Sequence, residues 1–428
     1  MFFHFPLYRA AVAALTVVCV LPSWAADPLT LAEAQQIAAA RSQQLLAQDA
    51  LTTAAREQAV AAAQLPDPVL KLGIDNLPVN GEDRFSLTND FMTQRRIGLM
   101  QEIPRAEKRQ LRAERFERDA RRAQAQRQFT LANVQRDTAL AWLDRYYIQA
   151  QRELVSQQVE EAQLQVQAAD VAFRTGRGSQ ADAFAARAAM LALQDRLQQV
   201  DQQLRNATLA LARWVGTTEA QRPVSGQPPW ESPPAGSPIA IEHLEQHPDL
   251  QAVAAEIGAA QTDARLAQAN KTSDWSVEAS YSQRGPAYSN MVSLGVSIPL
   301  QWDQQNRQDR ELAAKLAQVA EAQARYEDLL RSHEAEVRGW LNDWQTGRER
   351  LDRYRNELIP TARQRSEAAL TAYRSGKSDL AAVLVARRDE IDARMQALSL
   401  EMETARSWAQ LNFLVPQNAM TSNARKQP

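Results

Sequence analysis

The chain has 428 residues, 49 of them Lys or Arg and 51 Asp or Glu, for a net charge of −2. That balance excludes the basic excess of a nucleic-acid-binding surface. Only 14 glycines beside abundant Ala, Gln and Arg suit long amphipathic helices, and the length allows two or three ordinary domains or one elongated one.

Arg9 precedes the apolar run 10–21, and Ser23 and Ala25 are small residues at −3 and −1 of a cut after Ala25. This predicts a signal peptide over residues 1–25. The single cysteine, Cys19, lies inside it. Val18 stands where a lipobox wants a small residue, so the segment is read as unlipidated. The exported chain then has neither disulfides nor thiolate chemistry. No other stretch approaches about 18 consecutive apolar residues, so any entry into a membrane must be by strands.

A helix is expected over 29–64, broken by "LPDP" (65–68). Two alternating segments follow, with Leu70, Leu72 and Ile74 in the first and Ile97, Leu99 and Ile103 in the second. A long helix over about 105–173 carries two weak seams, one through Leu140, Leu143 and Tyr147, the other through Leu131, Val134 and Ile148. Some 70 residues at about 1.5 Å each reach on the order of 100 Å, too long for a compact globule. A turn at 174–178 leads to a returning helix with a seam through Leu193, Leu197, Val200, Leu204 and Leu211. "VSGQPPWESPPAGSP" (224–238) cannot continue a helix and reads as a connector.

The same order then recurs. A helix is expected over 239–270, broken by "KTSD". In "DWSVEASYS" (274–282), Trp275, Val277, Ala279 and Tyr281 alternate with Ser276, Glu278, Ser280 and Ser282. In "MVSLGVSIPL" (291–300), Val292, Leu294, Val296, Ile298 and Leu300 alternate with Ser293, Gly295 and Ser297. Period two is the strand signature, and about nine to eleven residues is what a tilted strand needs to cross a bilayer. A soluble hairpin would need a second layer over its apolar face, and the flanking helices offer none. From Leu312 a heptad seam steps through Leu316, Val319, Val337, Trp340, Trp344 and Leu351 to Leu358, with soft spots at Gln323, His333 and Gly347. A returning helix follows, with Leu384, Ile391, Met395 and Met402.

One phrase occurs twice, "AFRTGRGSQADAF" from Ala172 and "AYRSGKSDLAAVL" from Ala372, which points to a duplicated half-molecule. The organisation expected is a first repeat over 26–223, the connector 224–238, a second repeat over 239–415 and a tail over 416–428. No nucleophile–base pair, phosphate-binding loop or paired-carboxylate site stands out, so no enzyme and no cofactor are expected. His243 and His247 are four apart with Glu242 and Glu245 nearby, but Pro248 follows and no third ligand is evident, so no metal site is assigned. His333 reads as a packed interhelical residue. Met92, Met100 and Met291 fall near the strands, as packing or lipid-facing residues.

Export signal, duplicated halves, two strands per half, heptad helices and the paired Arg-x-Gly turn together resemble the TolC family of outer-membrane efflux factors. "PDPVLKLGIDNLP" (66–78) and "FMTQRRIGLMQEIPRAEKR" (91–109) are most similar to its heavy-metal branch, the CzcC- and CusC-like factors. The resemblance implies a mainly α fold with a small β part: a long-helix α-barrel, and four strands per chain contributing to a trimeric, twelve-stranded transmembrane β-barrel. Pro104 and Pro299 would mark the strand-to-helix switch. Trp275, Val277, Val292, Leu294 and Val296 would face lipid, and Ser276, Glu278, Ser293 and Ser297 the lumen. The turns would form a periplasmic tip docking an adaptor through Arg174, Gly176, Arg177, Arg374, Gly376 and Lys377, with Asp182 or Asp379 as a gate. Ala382 stands where the first repeat has Asp182, a departure from the family's acidic tip. The alternative for the turns is that they only cap two helical hairpins. The implied function is the exit duct of a tripartite efflux system for heavy-metal cations, a homotrimer in outer-membrane lipid working with a periplasmic adaptor and an inner-membrane RND pump. Drug efflux and type I secretion are alternatives within that class. A periplasmic coiled-coil adaptor or scaffold is the alternative outside it.

Overall fold

The computed structural model describes residues 27–234 and 244–414. The expected signal peptide, the end of the expected connector, His243 and the expected tail lie outside the described residues. The helix expected over 29–64 is two helices, α1 (Leu31–Arg41) and α2 (Gln43–Ala63). Ser42 leaves the helical region at ψ 108°, and its hydroxyl caps α2 by accepting from the Leu45 amide. α3 (Ala106–Arg174) runs 69 residues without a break, on the order of 100 Å. α4 (Gln180–Val215) returns beside it and the short α5 (Thr217–Gln221) follows.

In the second half a 3-10 turn (Leu244–Gln246) precedes α6 (Pro248–Ala269). α7 (Gln308–Arg353) passes through a π turn (Tyr354–Leu358) into α8 (Ile359–Arg374), and α9 (Leu380–Asn412) returns. The heptad expected to run unbroken to Leu358 is therefore interrupted. Pro360 has no amide hydrogen and its ring crowds the carbonyl four residues back, and the chain widens until the Ile359 amide bonds Tyr354 O, five back. Val337, Trp344, Gly347 and Leu351 are buried along the seam, whereas Leu316 and Leu358 at its ends are exposed.

β1 (Val69–Asp75), β2 (Gln94–Ile103), β3 (Trp275–Gln283) and β4 (Met291–Ser297) form one antiparallel sheet in the order β1-β2-β3-β4. The β2–β3 pairing joins the two halves. Pro104 sits between β2 and Arg105, the N-cap of α3, as expected of a strand-to-helix switch. Pro299 does not. β4 ends at Ser297 rather than at residue 300, and α7 begins only at Gln308, so Pro299 lies in the intervening segment, its carbonyl accepting from the Ser273 hydroxyl at 2.5 Å.

The largest core lies at mid-length of the rods and gathers both halves. The Trp142 indole donates to Leu29 O at 3.0 Å, and the Trp344 indole donates to Trp230 O at 2.8 Å. Each long helix is thus tied to the segment that leads into its half, at Leu29 in the first and at Trp230 of the connector in the second. α7 and α9 approach closely at Gly347, where a Cβ would stand 2.2 Å from the Thr404 hydroxyl. Among the described residues, no helix is long and apolar enough to cross a membrane.

Candidate functional site: sheet faces and hairpin tips

The register makes one face of the sheet mainly apolar, with Arg95, Gln101 and Gln283 toward its two ends, and the other mainly polar. Leu70 pairs with Leu99, Leu99 with Ala279, and Ala279 with Leu294. Leu72, Ile97, Tyr281 and Val292 form the next row, and Val277 with Val296 the row on the other side. Alternation puts this whole set on one face. The face is bare: Val292 is 73% exposed, Leu294 82% and Trp275 41%. Three antiparallel pairings, all in phase, bring apolar next to apolar in the central rows and leave them exposed among the described residues. The opposite face carries Lys71, Asp75, Arg96, Ser276, Glu278, Ser293 and Ser297, with ion pairs Lys71–Glu278 at 2.6 Å and Arg96–Asp75 at 3.1 Å. Met100, opposite Glu278, and Met291, opposite Ser282, belong to this polar face, so of the two placements expected, packing or lipid-facing, the register does not support the second.

At the other end of the rods the two turns lie side by side, because Ala169 and Ala186 of the first hairpin share a buried cluster with Leu380 and Val383 of the second. Gly176 and Gly376 both take positive φ, 70° and 71°, which a side chain disfavours. The backbone bonds match as well: Gly176 N to Phe173 O and Arg177 N to Ala172 O recur as Gly376 N to Tyr373 O and Lys377 N to Ala372 O. Arg174, Arg177, Arg374 and Lys377 are exposed. The two aspartates are engaged locally. Asp182 completes a capping box with Ser179, and Asp379 caps α9 by accepting from the Ala382 amide at 2.9 Å.

A histidine pair joins α6 to α7. His247 is the N-cap of α6, its Nδ1 accepting from the Asp249 amide at 3.3 Å; His243, the other histidine of that spacing, lies outside the described residues. Its ring lies 4.5 Å from that of His333 and 6.1 Å from that of Phe129 on α3. Burial, with the His333 charge adding to it, lowers the His247 pKa to about 4. His333 meets Asp249 at 3.2 Å and Glu336 at 3.4 Å. The hydrogen bond to Asp249 raises its pKa against the effect of burial. Among the described residues no cluster of three or more His, Cys, Asp or Glu is placed to hold a metal ion.

Two features escaped the sequence reading. Trp230, inside the Pro-rich connector, is 3% exposed, and Arg355 pairs with Glu231 at 2.8 Å and Glu401 at 2.6 Å. A large aromatic in a segment otherwise built as linker was the available signal.

The description "Outer membrane efflux protein" matches residues 241–415. Among curated proteins, none matches the chain in sequence. Solved structures match over nearly all of it. The outer-membrane channel OprN is 18% identical with a TM-score of 0.74, covering 90% of this chain and 89% of that one. CusC is 15% identical with a TM-score of 0.76, covering 90% and 92%. VceC from Vibrio cholerae is 18% identical with a TM-score of 0.73, covering 90% and 95%. At such identities the structural likeness speaks for the fold, and the family match agrees with it. Residues 241–415 are thus similar to the outer membrane efflux protein family, and the chain as a whole has the fold of these channels.

Proposed function

We propose that three copies of the chain pool their hairpins into one twelve-stranded barrel in the outer membrane and prolong it as a helical tube. The tube is the exit duct of a tripartite efflux system, working with a periplasmic adaptor and an inner-membrane RND-type pump, and its cargo is heavy-metal cations. The observation that carries this reading is the bare apolar sheet face with both edge strands, β1 and β4, open. In lipid every strand N–H and C=O needs a partner, so such a sheet must close with others like it. Trp275, Val277, Val292, Leu294 and Val296 then lie against lipid, and Ser276, Glu278, Ser293 and Ser297 line the wet bore. The repeats are taken as 26–223 and 239–415, joined by 224–238. The exposed cations of the two turns are the adaptor contact, while Asp182 and Asp379, already engaged by helix amides, serve first as caps. The metal cargo rests on the likeness of residues 66–78 and 91–109 to the heavy-metal branch, and CusC is among the similar structures.

Deleting the gene and growing cells on graded copper, silver, zinc, cobalt and cadmium beside a drug panel tests the cargo. Lost metal tolerance is expected, and lost drug tolerance with metals unaffected would transfer the cargo to drugs. Replacing Arg174 and Arg374 with Glu is expected to weaken cross-linking to the adaptor while leaving the trimer intact. Undiminished cross-linking would remove these residues from docking.

A further inference from the structure

The two ends of the sheet treat their cations differently. At the helical end Lys108 pairs with Asp274 at 3.0 Å, and the Arg105 amide donates to the same carboxylate. At the loop end Arg96, on the polar face, pairs with Asp75. Its neighbour Arg95 falls by parity on the apolar face and makes no ion pair among the described residues. The Arg95 Nε is buried without a hydrogen-bond partner, and the guanidinium finds Arg284 O at 3.5 Å. A guanidinium carries five donors and always its charge, so this one is left short of acceptors beside an apolar surface.

Gln283 is the cross-strand partner of Arg95, exposed on the same face, with Ile74 on the other side of the row. The next row is Leu72, Ile97, Tyr281 and Val292. Both loops brace the spot. Arg284 donates to Phe91 O, the Tyr288 hydroxyl lies 3.5 Å from Asn89 O, and a Cβ on Gly285 would stand 1.8 Å from Thr88 O. β2 and β3 are the inner strands of the sheet. Further copies would join at β1 and β4, so this row keeps its place on the outside of a closed barrel.

In the duct proposed above, on which this inference rests, the rods run into the periplasm and the loop end meets the outer leaflet. From Trp275 to Gln283 the strand rises about 27 Å, or roughly 20 Å in height once tilted, which sets the Arg95–Gln283 row near the upper edge of an apolar band about 25 Å tall. We infer that Arg95, with Gln283 beside it, binds a phosphate of the outer-leaflet glycolipid lipid A, at one site per copy. Arginine offers phosphate two parallel N–H donors, and its charge is shed of water more readily than an ammonium. The Gln283 amide adds a donor, and the acyl chains lie along Ile97, Tyr281 and Val292. The lipid phosphate supplies at this end the anion that Asp274 supplies at the other.

Native mass spectrometry of the full-length purified protein in detergent tests the site, with bisphosphorylated lipid A and with the same lipid dephosphorylated. On the unaltered chain, dephosphorylation is expected to weaken binding about tenfold or more, as loss of a charge-assisted bidentate contact should. Arg95→Gln should remove that preference and Gln283→Ala should reduce it about two- to threefold. Arg96→Gln, the same loss of charge on the polar face, should leave it unchanged. Equal affinity for the two lipids overturns the inference with no variant needed, and so does an Arg95→Gln chain that keeps the full preference. Displacement of lipid A by excess inorganic phosphate overturns it as well, since Arg95 would then hold the free ion. Conductance in phosphatidylcholine bilayers, measured in parallel, separates the two readings. Conductance with equal affinity for both lipids removes the lipid site and keeps the duct. Phosphate-selective, Arg95-dependent binding without conductance keeps the site and sinks the duct.

Discussion

The two halves share a plan but not a mechanical character. Each has a hairpin of strands, a rod, a glycine turn, a returning rod and a strap whose carbonyl accepts from a tryptophan of its rod, Trp142 in one case and Trp344 in the other. The first rod is one helix, whereas the second is two helices meeting at a π turn. The first tip is capped by Ser179 with Asp182, the second by Asp379 alone. After His4 the first half has no histidine, while the second places His247 and His333 against each other between α6 and α7. Duplication supplied a symmetrical scaffold, and the departures from symmetry collect in the second copy. Adjustable parts are therefore expected there, and rigid ones in the first.

The sheet is where the halves should behave alike, so a charge placed on it tests the shared plan most severely. Leu72→Arg in the first half and Leu294→Arg in the second sit on the same apolar face. Each is expected to cost about 2–4 kcal/mol per copy at the middle of a bilayer, enough to abolish heat-resistant oligomers on gels. Ser293→Arg, one residue away on the polar face, should leave them. If all three assemble equally well, the apolar face does not meet lipid.

Acid should divide the halves. His247 has a folded pKa near 4 against an ordinary value near 6.5. As pH falls below about 6.5 the unfolded chain gains a proton that the folded chain refuses until about 4, so stability drops across that window, by about 3 kcal/mol at most. His333 runs the other way, since its raised pKa contributes stability that is complete below about 6.5 and is lost as pH climbs through the raised value. Melting followed against pH should lose its acid limb in His247→Gln and its neutral-to-alkaline limb in His333→Gln. Exchange protection in 248–269 and around His333 should respond to pH, and that of α1 and α2 should not. Uniform acid sensitivity along the chain would erase this distinction.

The straps give a third comparison. Trp142→Phe leaves Leu29 O with only the longer bond from the Ser225 amide at 3.4 Å, Trp344→Phe removes the indole donor of Trp230 O, and each is expected to cost about 1–3 kcal/mol. Equal losses in chemical denaturation would mean the straps are equivalent ties. A loss confined to Trp142→Phe would mean that the tie at Trp230 contributes little to stability.

What the sequence revealed follows from which interactions are periodic. The strands were legible because alternation survives point by point, as in Val292, Leu294 and Val296, and their phase proved consistent across all three pairings. The turns were legible because one phrase was written twice. The π turn was not: Tyr354 and Leu358 are four apart, a spacing the heptad also contains, so Pro360 was the only warning of a change in register. Ser42 hid in the same way, inside a run that is helix-forming on both sides. The histidine contact and the burial of Trp230 depend on partners more than 80 residues distant, and no local pattern encodes those. For Met100 and Met291 composition leaves packing and a lipid-facing place both open, because methionine is apolar, while the face of a strand is decided by parity alone.

The smallest expected effect concerns the caps, and it bears on whether the tips differ in function or only in wording. Asp182 lies at the third position of α4, and Ser179 remains as N-cap if it is removed. Asp379 is itself the N-cap of α9, with no second capping side chain behind it. Removing an N-cap costs about 1 kcal/mol, whereas losing only the reciprocal partner of a capping box leaves the amide bond to the Ser179 hydroxyl in place. Asp379→Ala should therefore fray its turn measurably in hydrogen exchange, and Asp182→Ala should do so less. If instead Asp182→Ala alters ion selectivity of reconstituted channels while leaving exchange at 174–184 unchanged, its carboxylate serves the bore and not the helix. The gate assignment would then hold for the first tip alone, placing the tip's permeation-related carboxylate on the half that is otherwise the rigid one.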